Sequence, residues 1–121
     1  MINKLSNEIH QNNIRKGFYE GEKNIGEMLA LIHSEVSEAL EADRKDTYTA
    51  GNIFAVNGWN SDADFKDSFE KYVKDTFEDE LADIMIRVMD LAAFKGIDLD
   101  QHISAKMRFN SLREYKHGKK Y

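Results

Sequence analysis

The stretch FEDELADIMIRVMD, residues 77–90, looks at first like an ordinary amphipathic helix with acids outside and aliphatics inside. Each residue advances a helix by about 100°, so side-chain directions can be read from the sequence. With Ile84 at zero, Phe77, Leu81, Val88 and Leu91 fall within about 60°, and Glu80 falls inside the same arc at about −40°. Asp83, Arg87 and Asp90 continue from Glu80 as a polar seam. The opposite side, with Ala82, Ile86, Met89 and Ala93, is apolar as well. A helix apolar on two sides is central in a bundle or covered by another subunit. The stretch therefore reads as a buried helix that points a carboxylate where its core belongs.

Outward from it, helical periodicity dominates and no proline interrupts it. A first helix is expected through INKLSNEIHQNNI, ahead of a loop around Gly17 and Gly21. A second fits NIGEMLALIHSEVSEALEADRK, with Asn24 as N-cap and Glu27 three residues on. The stretch DTYTAGNIFAVNGWNSD has no sustained period and reads as loop or short irregular helix. From Asp62 or Asp64 a long pattern runs to Phe94, broken or bent near Lys74–Thr76, and Gly96 ends it as the C′ residue. Asp98 and Gln101 open a last helix, LDQHISAKMRFNSLREY, before a basic tail. The expected fold is all-α, four principal helices in a bundle completed by oligomerisation.

At 121 residues the chain reads as one domain, 1–121, and its net charge of −5 gives no footprint for nucleic acid or an anionic membrane. Without cysteine there is no disulfide, thiolate metal site or cysteine nucleophile. The opening MINKLSNEIH lacks the apolar run of a signal peptide, and no window reaches transmembrane length. The expectation is a soluble, cytoplasmic protein.

The second helix repeats the anomaly of the 77–90 stretch. With Ile32 at zero, Met28, Leu29, Val36, Ala39 and Leu40 lie within roughly 80°, while Glu35 stands about 60° off centre and Glu38 at about −120° on the same side. Buried ionised carboxylates are costly unless paired, protonated or bound to metal. Glu35, Glu38, Glu80 and Asp83, two i, i+3 pairs, can share that cost by gripping one cation. An all-oxygen set suits Mg²⁺ or Mn²⁺, and Mg²⁺ commonly completes its shell with waters and substrate phosphates. The competing reading is structural, with Arg87 or Lys106 neutralising the acids in salt bridges.

In the last helix Leu99, Ile103, Lys106, Asn110 and Arg113 share one stripe. Such a face can neutralise polyphosphate while the amide bonds a base or sugar. It can equally be a snorkelling lysine, a locally bonded asparagine and an arginine complementing a helix dipole. Between the acid pairs lie Tyr48, Phe54 and Trp59; packing is expected for Phe54, and stacking on a base is a candidate role for Trp59. His33 reads as a surface or edge residue.

At HSEVSEALEADR and EDELADIMIRVMDLA the chain resembles the MazG-like, all-α nucleoside triphosphate pyrophosphohydrolases, whose E-x-x-E and E-x-x-D motifs are matched by Glu35, Glu38, Glu80 and Asp83. GFYEG resembles the segment upstream of the first motif, and KMRFNSLREYKHGKKY the family's K-x-x-x-N-x-x-R helix and tail. Together these cover well over half the chain. The resemblance implies hydrolysis of a nucleoside triphosphate to monophosphate and pyrophosphate, with the four acids on Mg²⁺. It further implies Lys106 and Arg113 on phosphate, Asn110 on the nucleoside, and a homodimer or homotetramer. Glu38, at the edge of the apolar arc, is assigned the attacking water. Arg87 and Asp90 are expected to support the ligands. The interval between Glu38 and Glu80 is longer than in compact members, which leaves the base open. A related alternative is phosphoribosyl-ATP pyrophosphatase; from another class, a non-catalytic helical dimerisation module.

Overall fold

A computed structural model describes residues 1–50 and 61–121. These form five α-helices: α1 (Ile2–Arg15), α2 (Ile25–Arg44), α3 (Asp62–Tyr72), α4 (Phe77–Phe94) and α5 (Leu99–Ser111), followed by a 3-10 turn at Tyr115–Gly118. No strand occurs among the described residues, and none of their helices is long and apolar enough to cross a membrane. The chain divides into two compact units, residues 1–22 with 88–121, and residues 23–87; α4 contributes a part to each.

Local signals start and stop these helices. The Asn24 side chain accepts the Glu27 N–H at 3.1 Å, and the Asp98 side chain accepts the Gln101 N–H at 3.0 Å, so α2 and α5 begin where their caps predict. Gly96, at φ +65°, ends α4: its N–H bonds the Ala93 carbonyl and the Ile97 N–H bonds that of Ala92, the paired bonds of a Schellman end.

The long pattern from residue 62 to 94 is two helices. Asp75 sits in the left-handed region at φ 65°, and the chain restarts through reciprocal capping. Thr76 Oγ1 accepts the Asp79 N–H at 3.3 Å, while Asp79 Oδ2 accepts the Asp75 N–H at 3.0 Å. These bonds satisfy donors a helix start leaves open, so α4 begins at Phe77. At the other end of the chain, α5 stops at Ser111 rather than running to Tyr115. Leu112 and Tyr115 are 77% and 88% exposed, so no apolar burial sustains further turns there.

In the unit formed by residues 1–22 and 88–121, α1 packs against α5. The Asp100 carboxylate accepts the N–H groups of Ile2 and Asn3 at 3.1 and 3.0 Å, and Asn3 Oδ1 accepts the Asp100 N–H at 3.1 Å. Each helix thereby caps the other, although α1 has no side-chain cap of its own. Met89 and Ala92 are buried in this unit.

The unit of residues 23–87 buries Ala39, Ala42 and Val73, together with Glu35, Thr76 and Glu80. On α2 the buried stripe is Glu35, Ala39 and Ala42, which centres about 60° from the midpoint of the apolar arc. This corrects the expected core face, because Leu29, Val36 and Leu40 on its other flank remain about half exposed. The turn of α2 places Glu35 inside the packed face and leaves an apolar strip outside.

Candidate metal centre

Glu35 lies midway along α2, 8% exposed, in a segment without glycine or proline to interrupt the helix. Glu38, one turn further, is exposed. Glu80 lies in the first turns of α4 and is 4% exposed. The positive end of that helix dipole offsets part of the cost of an anion there. The three side chains each offer a carboxylate oxygen, and these oxygens all lie within 4.8 Å of one another.

Arg87, the one cation bonded into this group among the described residues, donates Nε–H to Glu35 Oε1 at 2.9 Å. It answers one oxygen only. Glu35 Oε2 and Glu80 Oε2 are both buried and accept no hydrogen bond. Buried polar atoms are seldom left so, because each forfeits hydration worth about 1–3 kcal/mol or more. A hard cation is the group that fits: the donors are all oxygen, the charge is negative, and the orphaned atoms are lone pairs.

The titration of the acids follows the same geometry. Burial works to raise Glu35, but the bonded Arg87 guanidinium, with the close Glu38 and Glu80 carboxyls, outweighs it and holds its carboxyl below the ordinary range. Glu80 is pushed up to about 8, first by burial and then by Glu38 and Glu35. Without a cation, burial and the neighbouring acids favour the protonated form of Glu80, while Arg87 favours the charged form of Glu35. Two like charges this close cannot both ionise cheaply.

Asp83, the fourth expected ligand, stands beside this trio rather than within it. Burial raises its carboxyl, and the charges of Asp79 and Glu35 raise it further against the pull of Arg87. It lines a groove shared with Phe65, Lys66, Phe69 and Glu70 of α3 and with Lys74, Asp75 and Asp79. Asp75 and Asp79 were not singled out by the sequence; the only signal was an i, i+4 spacing across a helix break.

Arg87 donates to Glu35, a bond that suits both a support for the ligands and the structural salt-bridge alternative. Asp90 was expected in a similar role, but both its oxygens are engaged elsewhere: Oδ1 pairs with His10 Nδ1 at 2.9 Å and Oδ2 accepts the Tyr19 hydroxyl at 2.6 Å. Lys106 Nζ and the Arg113 guanidinium lie 5.1 and 5.8 Å from the Phe109 ring centre, and Arg113 also donates to the His117 carbonyl at 3.3 Å. Asn110 Oδ1 is buried and accepts no hydrogen bond. These three belong to the unit of residues 1–22 and 88–121, and the acid trio to that of residues 23–87. Trp59 and Phe54 lie outside the described residues. His33 is exposed on α2, as expected.

Compared with family models, with curated proteins and with solved structures, the chain finds no match in any of the three.

Proposed function

We propose that this chain is an Mg²⁺-dependent nucleoside triphosphate pyrophosphohydrolase of the MazG-like type, releasing pyrophosphate and leaving the monophosphate. The observation that carries this reading is the convergence of Glu35, Glu38 and Glu80, two of them buried with an oxygen that accepts nothing. Phosphate chemistry is the natural employment of such a set, because it needs charge neutralised and little else supplied. A bound Mg²⁺ would neutralise polyphosphate and lower the pKa of water.

Each side chain then has a distinct task. Glu35 and Glu80, fixed by burial, hold the cation still. Arg87 keeps Glu35 oriented and ionised. Glu38, exposed at the rim, accepts a proton as water attacks the α-phosphorus and the bond to the β-phosphate bridging oxygen breaks. By the resemblance, Lys106 and Arg113 take phosphate and Asn110 the nucleoside; Trp59, an aromatic in the segment between the acid pairs, is the candidate to stack on the base. The structural alternative has Arg87 or Lys106 neutralising the acids in salt bridges, yet Arg87 is the one cation bonded to them among the described residues, and its bond leaves Glu35 Oε2 and Glu80 Oε2 unanswered.

A panel of nucleotides with Mg²⁺, phosphoribosyl-ATP included, tests the reading when pyrophosphate and orthophosphate are scored separately. Pyrophosphate from one or more nucleoside triphosphates, abolished by chelator, is the expected result. Orthophosphate alone would move the cleavage site and reject the chemistry; no release from any member would remove the enzyme.

A homo-oligomer belongs to the same reading. Leu29, Val36, Leu40, Leu81, Met85 and Ile86, all within residues 23–87, are between 40% and 50% exposed. Exposed aliphatics in such number favour a covering subunit. Light scattering at micromolar concentration is expected to give a dimer or tetramer, and a monomer mass would withdraw this part of the proposal.

A further inference from the structure

Glu80 belongs to two carboxylate groups. Besides Glu35 and Glu38, the side chains of Asp75 and Asp79 each bring an oxygen to within 4.8 Å of a Glu80 oxygen and of each other. We infer a second divalent-cation site formed by Asp75, Asp79 and Glu80, with Glu80 bridging two ions. The inference rests on the reading of Glu35, Glu38 and Glu80 as a metal centre and adds ligands that the E-x-x-E and E-x-x-D motifs do not contain.

Acid side chains crowd helix starts for ordinary reasons, and Asp79 has one: its Oδ2 caps the Asp75 N–H. That bond occupies one Asp79 oxygen and leaves the other, while the Asp75 carboxylate is exposed and open to a ligand. Glu80 is what distinguishes the group from a capping cluster. It is 96% buried by its 4% exposure, and its Oε2 accepts no hydrogen bond. A carboxylate has two oxygens and can give one to each of two ions, as in two-metal sites with ions roughly 3.5–4 Å apart.

Charge leads the same way. The two groups contain five carboxylates, Glu35, Glu38, Glu80, Asp75 and Asp79, and the bonded cation among them is Arg87. One divalent ion leaves two negative charges uncompensated around a buried side chain, and a second brings the set to neutrality. Asp75 and Asp79, though not the buried Glu80, line a groove of about 410 Å³ with Asp83, Lys66 and Lys74, where waters or phosphate oxygens could fill the remaining positions of an ion they hold. The two lysines give an anionic ligand a place beside the ion.

Mn²⁺ binding to the full chain, followed by calorimetry and electron paramagnetic resonance, tests this apart from activity. Wild type is expected to bind two ions per chain, with a spin-coupled spectrum at saturation. Asp75→Asn is the cleaner variant, because asparagine tolerates the left-handed backbone there; Asp79→Asn keeps an acceptor for the cap. Either is expected to leave one uncoupled ion, while Glu35→Gln weakens the other. A single wild-type ion that is lost in Glu35→Gln and retained in both Asp variants overturns the second site and leaves the first centre standing. Absence of Mn²⁺ binding in wild type overturns both.

Discussion

A Glu80→Gln chain is expected to lose pyrophosphate release by more than ~10²-fold, since the loss of even an outer partner of a metal ligand costs ~10–100-fold. In chelator, the same chain is expected to be more heat-stable than wild type at alkaline pH. The opposition of these two effects follows from where Glu80 sits. Its carboxyl is raised from 4.5 to about 8, by burial first and then by Glu38 and Glu35. Folded protein therefore keeps a proton that the unfolded chain releases near 4.5. The resulting stability is fully present below the unfolded pKa and is lost as pH rises through about 8. Glutamine is close in shape, carries no titrating proton, and removes that slope. Added Mg²⁺ should restore wild-type stability at high pH by binding the folded state alone, and should do little for the variant. Melting curves between pH 5 and 9, with and without Mg²⁺, read both effects. Identical slopes and identical Mg²⁺ increments in the two chains would take Glu80 out of the centre.

Asp90→Ala is expected to destabilise the chain by ~3 kcal/mol through a network that contains none of the acid trio. Asp90 is 9% exposed, and both its oxygens are bonded, to His10 and to the Tyr19 hydroxyl. The His10 and Tyr19 rings meet edge to face with centres 4.6 Å apart, and Tyr19 lies 5.2 Å from the Phe94 ring. Burial, then the hydrogen bond and charge of Asp90, push the Tyr19 hydroxyl above the ordinary tyrosine range, so it stays a donor at any working pH. Removing the carboxylate leaves two half-buried polar groups without their partner, which costs more than the bonds themselves contribute. Tyr19→Phe removes a donor along with its bond and is expected to cost only about 1 kcal/mol. Urea denaturation of both variants is the measurement. Equal and small losses would mean that Asp90 is hydrated rather than locked.

Much of the helical framework was legible because its signals act over four residues or fewer. Asn24, Asp98 and Gly96 mark ends that the backbone then uses, and the bend expected near Lys74–Thr76 is where α3 and α4 part. The bonds that make the break were not legible. Thr76 and Asp79 take part only once Asp75 has turned left-handed, which no propensity of aspartate requires.

Wheel geometry pointed to Glu35 and Glu80 as misplaced acids, yet it put the core face of α2 on the wrong flank. A wheel averages apolar residues without knowing which of them gains a neighbour. Leu29, Val36 and Leu40 are as apolar as any, but the packed side of α2 in its unit runs through Glu35, Ala39 and Ala42. Asp90 carried the same limit: periodicity set it on the polar seam of Glu80, and only folding brought His10 and Tyr19, far away in the chain, to its oxygens.

By itself, then, the sequence determined the all-α class, most helix ends and the two pairs of acids on their helices. Those are consequences of a 3.6-residue period and of bonds between near neighbours. Tertiary structure decided which carboxylates meet. It drew Glu35 and Glu38 to Glu80, gave Arg87 to only one oxygen of Glu35, and set Asp75 and Asp79 on Glu80 as well. Convergence of charge across dozens of residues is repaid only when burial elsewhere holds the helices together, and no local pattern encodes that balance.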